Sequence, residues 1–270
     1  MRILVMLCLM FGAGQVFGDS PDVKLQGVID DEARPAEERE RDRFRNPYET
    51  LMFFGIRPDM TVVEISPGGG WYSEILGPYL AEEGKLVAAH FNLDQDDPPS
   101  YFATARESYE ERIAQDRFGQ VEVLSFDPPE LSSLGDPESA DMVVTFRNVH
   151  GYFRRGTLDD VFAAAHEVLK PGGTFGVVGH RLPEDRDQDP EARSGYMKES
   201  VIIEHAEKAG FSLEERSDIN ANPEDTADHP NGVWTLPPSL RVPDDADEDK
   251  YRAIGESDRF TLRFEKPAAN

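Results

Sequence analysis

The chain has 270 residues, 39% of them hydrophobic and 10% aromatic, which suits one large domain with a proper core rather than two. Its formal charge is -25, from 53 acidic against 28 basic residues. A surface that acidic repels phosphate backbones and anionic headgroups, which argues against nucleic acid or a membrane surface as partner. Only seven of the basic residues are lysines, and acids gather as at 244–249, the pattern of a well-solvated surface.

The first 18 residues carry Arg2, an apolar run at 3–11 and the small residues Gly12, Ala13 and Gly14 before Gly18. This is a secretory signal peptide pattern, with cleavage expected after Gly18. The run is too short to span a bilayer, which takes about 20 residues. Cys8, the only cysteine, lies inside it and lacks the small residue that precedes a lipidated cysteine. The mature protein is therefore expected to be exported, periplasmic or secreted, with no disulfide, thiolate metal site or cysteine nucleophile.

Residues 19–35 show no period and read as a loose leader. Residues 36–54 are charged and helical in pattern, with Phe44, Tyr48, Leu51, Met52 and Phe53 as apolar contacts, and Gly55 and Pro58 end them. Strands at 61–65, 85–91, 121–126, 141–146 and 174–179 then alternate with helices at 71–81, 101–118 and 158–169 and a turn at 130–134. That alternation predicts a doubly wound parallel sheet covered by helices on both faces. A helix at 196–209, stopped by Gly210, a strand at 211–219 and a last strand at 259–265 follow. The polar stretch 220–258 is too long for an idle loop and reads as a lid or substrate cap.

The densest chemistry lies at Val62, Val63, Glu64, Ile65, Ser66, Pro67, Gly68, Gly69 and Gly70. The β-branched residues favour a buried strand, while the glycines permit backbone angles closed to other residues and remove Cβ atoms that would block a ligand. Glu64 stands at the carboxyl end of the strand, where open parallel sheets bind ligands. A dinucleotide loop would read Gly-x-Gly-x-x-Gly, but Ser73 occupies the third glycine position after Gly68 and Gly70, so a nicotinamide cofactor is disfavoured.

Four landmarks in register resemble the class I S-adenosylmethionine-dependent methyltransferases over about 61–265. Glu64, Gly68 and Gly70 match the first motif, with Ser66 at its first glycine position. Asp127 matches the third-strand acid, 141–150 the fourth strand and its following loop, and Glu167 to Gly173 the turn into the fifth strand. With the exported leader, His90 and the stretch 225–239, the chain is also similar to a narrower group of exported bacterial predicted methyltransferases. The resemblance implies a Rossmann-like α/β sheet of seven strands, mostly parallel with the last antiparallel. An extra N-terminal helix and a long insertion at 218–258 complete a single domain from 36 to 270. It further implies S-adenosylmethionine as cofactor, held by Glu64, Ser66, Gly68, Gly69, Gly70, His90, Asp127 and Asn148, and methyl transfer to a small molecule.

One departure from that pattern is His90, which stands where the family places an acid that grips both ribose hydroxyls. Imidazole, or the Asn92 amide, bonds a ribose with weaker geometry. Arg147, His150 and His180, just past the fourth and fifth strands, are candidates to orient the acceptor or take its proton, although a histidine there can also brace a loop. Tyr152, Tyr196, Asn220, Asn222, His229 and Trp234 are candidates for the acceptor pocket, Trp234 by stacking on a ligand or by anchoring the lid. The acids near His229 lack the spacing of a calcium loop, so no metal is expected. A second reading stays open, an exported ligand-binding protein that kept the fold and lost the transfer. Oligomeric state is left open.

Overall fold

In the computed structural model, residues 22–94 and 100–268 are described, so the stretch read as a signal peptide lies outside the described residues. The leader reading is corrected, because part of that stretch forms helix α1 (Val23–Ile29). Asp22 caps it, accepting from the Leu25 amide at 2.8 Å, and Tyr79 donates to the same carboxylate from the neighbouring helix. Leu25 and Ile29 are buried. Two apolar contacts in two turns are too few to show a period. The helix expected at 36–54 is three short ones, α2 (Ala36–Arg39), α3 (Asp42–Arg45) and α4 (Pro47–Phe54). The last break falls at left-handed Asn46, φ 39°, and Pro47 fits only the first turn of a new helix.

After these come β1 (Thr61–Ile65), α5 (Ser73–Leu80), β2 (Lys85–His90), α6 (Ser100–Ile113), β3 (Val121–Ser125), β4 (Ala140–Phe146), α7 (Val149–Arg155) and α8 (Leu158–Val168). The chain ends with β5 (Leu169–His180), α9 (Glu199–Lys208), β6 (Ser212–Ser217), α10 (Glu248–Ile254) and β7 (Arg259–Glu265). The sheet order is β3-β2-β1-β4-β5-β7-β6. Strands β1 to β5 pair in parallel, and β7 lies antiparallel between β5 and β6. Strand β5 starts earlier than expected because the turn at Pro171 to Gly173 is absorbed as a bulge, the register stepping from Ala140 opposite Leu169 to Met142 opposite Thr174.

The strand order reverses at β1, which pairs with β2 on one side and β4 on the other. The crevice outside such a switch point is where open α/β sheets bind ligands. Val62, Val63, Glu64 and Ile65 are all buried, as a central parallel strand covered on both faces requires. Alternate residues feed two cores. Val62, Leu86, Met142 and Val144 pack with Leu25, Leu51, Phe54 and Leu76 on one face. Val63, Val87, Val143 and Val177 pack with Phe162, Ala165 and Ile202 on the other.

Three helices are not read from the sequence, α1, taken as leader, α7, taken as a loop, and α10, inside the lid. No helix of the described residues is long and apolar enough to cross a membrane.

Candidate active site

Strand β1 leaves the sheet through a turn in which Ser66, Gly68 and Gly70 take positive φ of 52°, 59° and 85°. Left-handed backbone at a residue with a Cβ costs about 1–2 kcal/mol, and Ser66 is held there by its own bonds. Its amide donates to Ala89 O at 2.8 Å, and its hydroxyl pairs with that of Tyr152 at 2.6 Å. Asn148, at the exit of β4, donates to both Ile65 O and Ser66 O, at 3.1 and 3.0 Å. Serine in the first glycine position is thus built into the turn.

The three glycines divide by direction. A Cβ on Gly68 or Gly69 would meet nothing within 4 Å, and both line a cleft of about 860 Å³, a volume in the range of cofactor sites. Phe91, Tyr101, Phe102, Asn148, His150, Tyr152 and Trp234 form its other walls, with Arg154, Arg155 and Arg241. Gly70 faces the fold instead, where a Cβ would lie 3.0 Å from the Tyr109 ring and 3.1 Å from Arg112 Cδ.

Glu64 lies behind the glycine turn, 2% exposed, accepting from Ser73 Oγ at 2.5 Å. Burial raises its carboxyl to about 7, against the Ser73 bond and the charges of Arg147 and Arg112. A raised carboxyl holds its proton better folded than unfolded, so Glu64 weakens the fold as pH climbs from about 4.5 through 7. The shift corresponds to about 3 kcal/mol at most. Glu64→Gln is therefore expected to raise the urea midpoint at pH 8 and to leave it nearly unchanged at pH 5. A variant less stable than the wild type at pH 8 contradicts this assignment.

His90 is fully buried and spends both ring nitrogens on backbone. Nδ1 accepts from the Phe91 amide at 2.8 Å, so Nε2 carries the proton and donates to Gly68 O at 2.9 Å. Burial lowers it to about 4, which keeps it neutral. As placed, His90 braces the turn and offers no nitrogen to a ribose. Asp127, past β3, lies 3.6 Å from Arg155, beside the cleft.

A second cavity, about 180 Å³, opens beyond His150 and is lined by Phe146, Arg147, Asn148, His150, His180, Trp234, Pro237, Pro238, Glu256 and Ser257, among others. It shares Asn148, His150 and Trp234 with the large cleft, so these three stand between the chambers. Arg147, at φ 64°, is a second left-handed residue at a strand end beside Ser66; strain concentrated at one place points to function. The His150 ring lies 5.7 Å from His180 and 5.6 Å from Trp234, centre to centre. His150 Nδ1 is buried and has no hydrogen-bond partner among the described residues. Burial and the charges of Arg154 and Arg147 lower His150 to about 4, and burial with the charges of His150 and Arg147 pushes His180 well below the usual range. Both are neutral near pH 7, and His180 Nδ1 is paired to Ser257 Oγ at 2.6 Å.

The structure places four candidate acceptor contacts in other networks. The Tyr196 hydroxyl donates to Asp225, as does His229 Nε2 at 2.8 Å. Asn220 donates to Thr50 and Thr261, and Asn222 to Ile254 O and Glu256 O. Asn220 and Tyr196 fasten the segment 218–258 to the body, and Asn222 and His229 tie parts of that segment to each other, while Trp234 reaches the cleft. The sequence reading missed Glu256 and the arginines around it. Arg41 meets it at 2.8 Å, Arg45 at 3.1 Å and Arg259 at 3.1 Å. Burial pushes its carboxyl up, but the Arg45, Arg259, Arg147 and Arg41 charges outweigh that and hold it at about 2.

No protein-family model matches the chain, and no curated protein matches it. Solved structures do. An S-adenosylmethionine-dependent methyltransferase from Aquifex aeolicus is 16% identical over 90% of this chain and 97% of that one, at TM-score 0.55. CrArsM, an arsenic(III) S-adenosylmethionine methyltransferase from Chlamydomonas reinhardtii, is 16% identical over 93% and 75%, at 0.53. The [4+2]-cyclase SpnF is 15% identical over 89% and 86%, at 0.54. The fold is the Rossmann-like one of the S-adenosylmethionine-dependent methyltransferases. Identities this low establish the fold and leave the chemistry to the site.

Proposed function

We propose that the protein is an S-adenosylmethionine-dependent methyltransferase acting on a small molecule. The observation that carries this reading is the pair of adjoining chambers, a large one over the bare backbone of Gly68 and Gly69 and a small one on the other side of His150 and Trp234. Bound in the large chamber, S-adenosylmethionine supplies an activated methyl group on a sulfonium sulfur. Gly68 and Gly69 leave room for its amino-acid end, ionised Glu64 favours a cation across the turn, and Phe91, Tyr101 and Phe102 give an apolar wall. Asn148 fixes the exits of β1 and β4 against each other. Neutral His150, whose ring lines both chambers, takes the proton that the acceptor's nucleophile gives up. Trp234 and Pro238 cover the small chamber and keep water from it.

Incubation of the purified protein with methyl-labelled S-adenosylmethionine and a small-molecule extract is expected to put label into a low-mass product, and His150→Ala to reduce it at least a hundredfold. Label appearing only in macromolecules, or equal transfer by the variant, contradicts the proposal. The non-catalytic reading draws on one observation, the His90 ring spent on backbone at the place of a ribose-binding acid; it predicts ligand binding with no transfer at all. The proposal includes export, resting on the pattern of residues 1–18, and kinship with exported bacterial methyltransferases, resting on that pattern with His90 and the stretch 225–239. Amino-terminal sequencing that finds Asp19 first in secreted material checks the former.

A further inference from the structure

We propose that the small chamber is an anion site, and that the methyl acceptor is a small carboxylate held by the guanidinium of Arg147. The name acceptor rests on the methyltransferase reading; the anion site stands on the chain alone. In a protein of formal charge -25, four arginines gather about one buried carboxylate, Glu256. Two bonds reach Glu256 Oε1, from Arg41 Nε and Arg45 Nε, and two reach Oε2, from Arg45 Nε and Arg259 Nη1. Glu256 is thus held by three N–H groups without Arg147, that of Arg45 shared between its two oxygens. The Arg147 side chain has no hydrogen-bond partner among the described residues, although the Glu256 charge acts on it.

Burial lowers Arg147 to about 10, which leaves it a cation on the chamber wall, and the Glu256 carboxylate that acts on it is held by three other arginines. Such a group invites a counter-ion. A guanidinium fork binds carboxylate through two parallel bonds. The His150 ring lines the same chamber, and a neutral imidazole nitrogen accepts from an O–H or N–H, so the two ends of a hydroxy or amino acid are each provided for. Phe146, Trp234 and Pro238 make the walls between them apolar. The volume, about 180 Å³, is that of a space for about one aromatic ring, since a cavity of about 150 Å³ holds benzene.

Calorimetric titration of the full chain with acetate, benzoate and 4-hydroxybenzoate, and with the matching uncharged amides, tests the site without turnover. Titration with S-adenosylhomocysteine runs beside it. At least one carboxylate is expected to bind one per chain, tenfold or more tighter than its amide. Arg147→Gln should erase that preference, Arg147→Lys should keep part of it, and S-adenosylhomocysteine affinity should change less than threefold in either variant. Equal binding of carboxylates and amides, or no binding of any, by a wild-type protein that takes S-adenosylhomocysteine overturns the inference. A preference untouched in Arg147→Gln, or in Arg147→Lys should the first not fold, overturns it too. Carboxylate preference in a protein that ignores S-adenosylhomocysteine supports the anion site and sinks the methyltransferase reading.

Discussion

Glu256→Ala is expected to destabilise the protein by about 3–5 kcal/mol at pH 7, the usual cost of removing one partner from a buried ion pair. Glu256 and Arg45 are both nearly inaccessible, at 3% and 1% exposure, and Arg259 is 3% exposed. Removing the carboxylate leaves their charges facing one another in the interior. The same ion group ties α3 and the start of β7 together across more than 200 residues of sequence. The pH dependence has a definite sign. Because the folded carboxyl is held at about 2, below its unfolded value, its contribution is complete above about 4.5 and is lost as pH falls toward 2. Urea unfolding should therefore show a wide gap between wild type and variant at pH 7 and a narrower one at pH 3. A gap under about 1 kcal/mol at pH 7, the range of exposed pairs, contradicts this account of the cluster.

The second large effect separates binding from stability within one turn. Gly69→Leu is expected to weaken S-adenosylhomocysteine binding at least a hundredfold while leaving urea stability within about 0.5 kcal/mol, the range of a harmless surface change. Its side chain would enter the open cleft from a residue without a left-handed backbone. Gly70→Ala should do the reverse. There a Cβ meets Tyr109 and Arg112 at a φ of 85°, so a loss of about 1–3 kcal/mol is expected, with weakened binding only as a consequence. Calorimetry and urea unfolding on both variants decide the matter; Gly69→Leu binding normally would place the ligand elsewhere.

How much of this was legible in the sequence depends on how local the cause is. Strands β1 and β7 could be bounded to the residue because short apolar runs meet sharp breakers. The glycine turn could be read because positive φ restricts residue choice. Ser66 looked like a departure until its hydroxyl was seen on Tyr152, a partner 86 residues on that no local pattern reveals. His90 could be placed at the strand end, but only tertiary structure shows both nitrogens engaged. Asn220, Asn222, Tyr196 and His229 have the polar side chains that ligands need, and the same side chains hold a long segment together or fasten it to a core. Residue type does not separate those uses. The Glu256 cluster draws on residues 41–45, 147 and 256–259, and no one-dimensional spacing brings those together. Helix α7 escaped because seven residues with Gly151 inside carry too little periodicity.

The proposed methyltransferase needs the large cleft as its cofactor site. Isothermal titration of the purified protein with S-adenosylhomocysteine tests that most directly. Saturable binding of one molecule per chain, lost in Gly69→Leu, is the result this structure predicts; no heat of binding in a folded wild-type protein would contradict it.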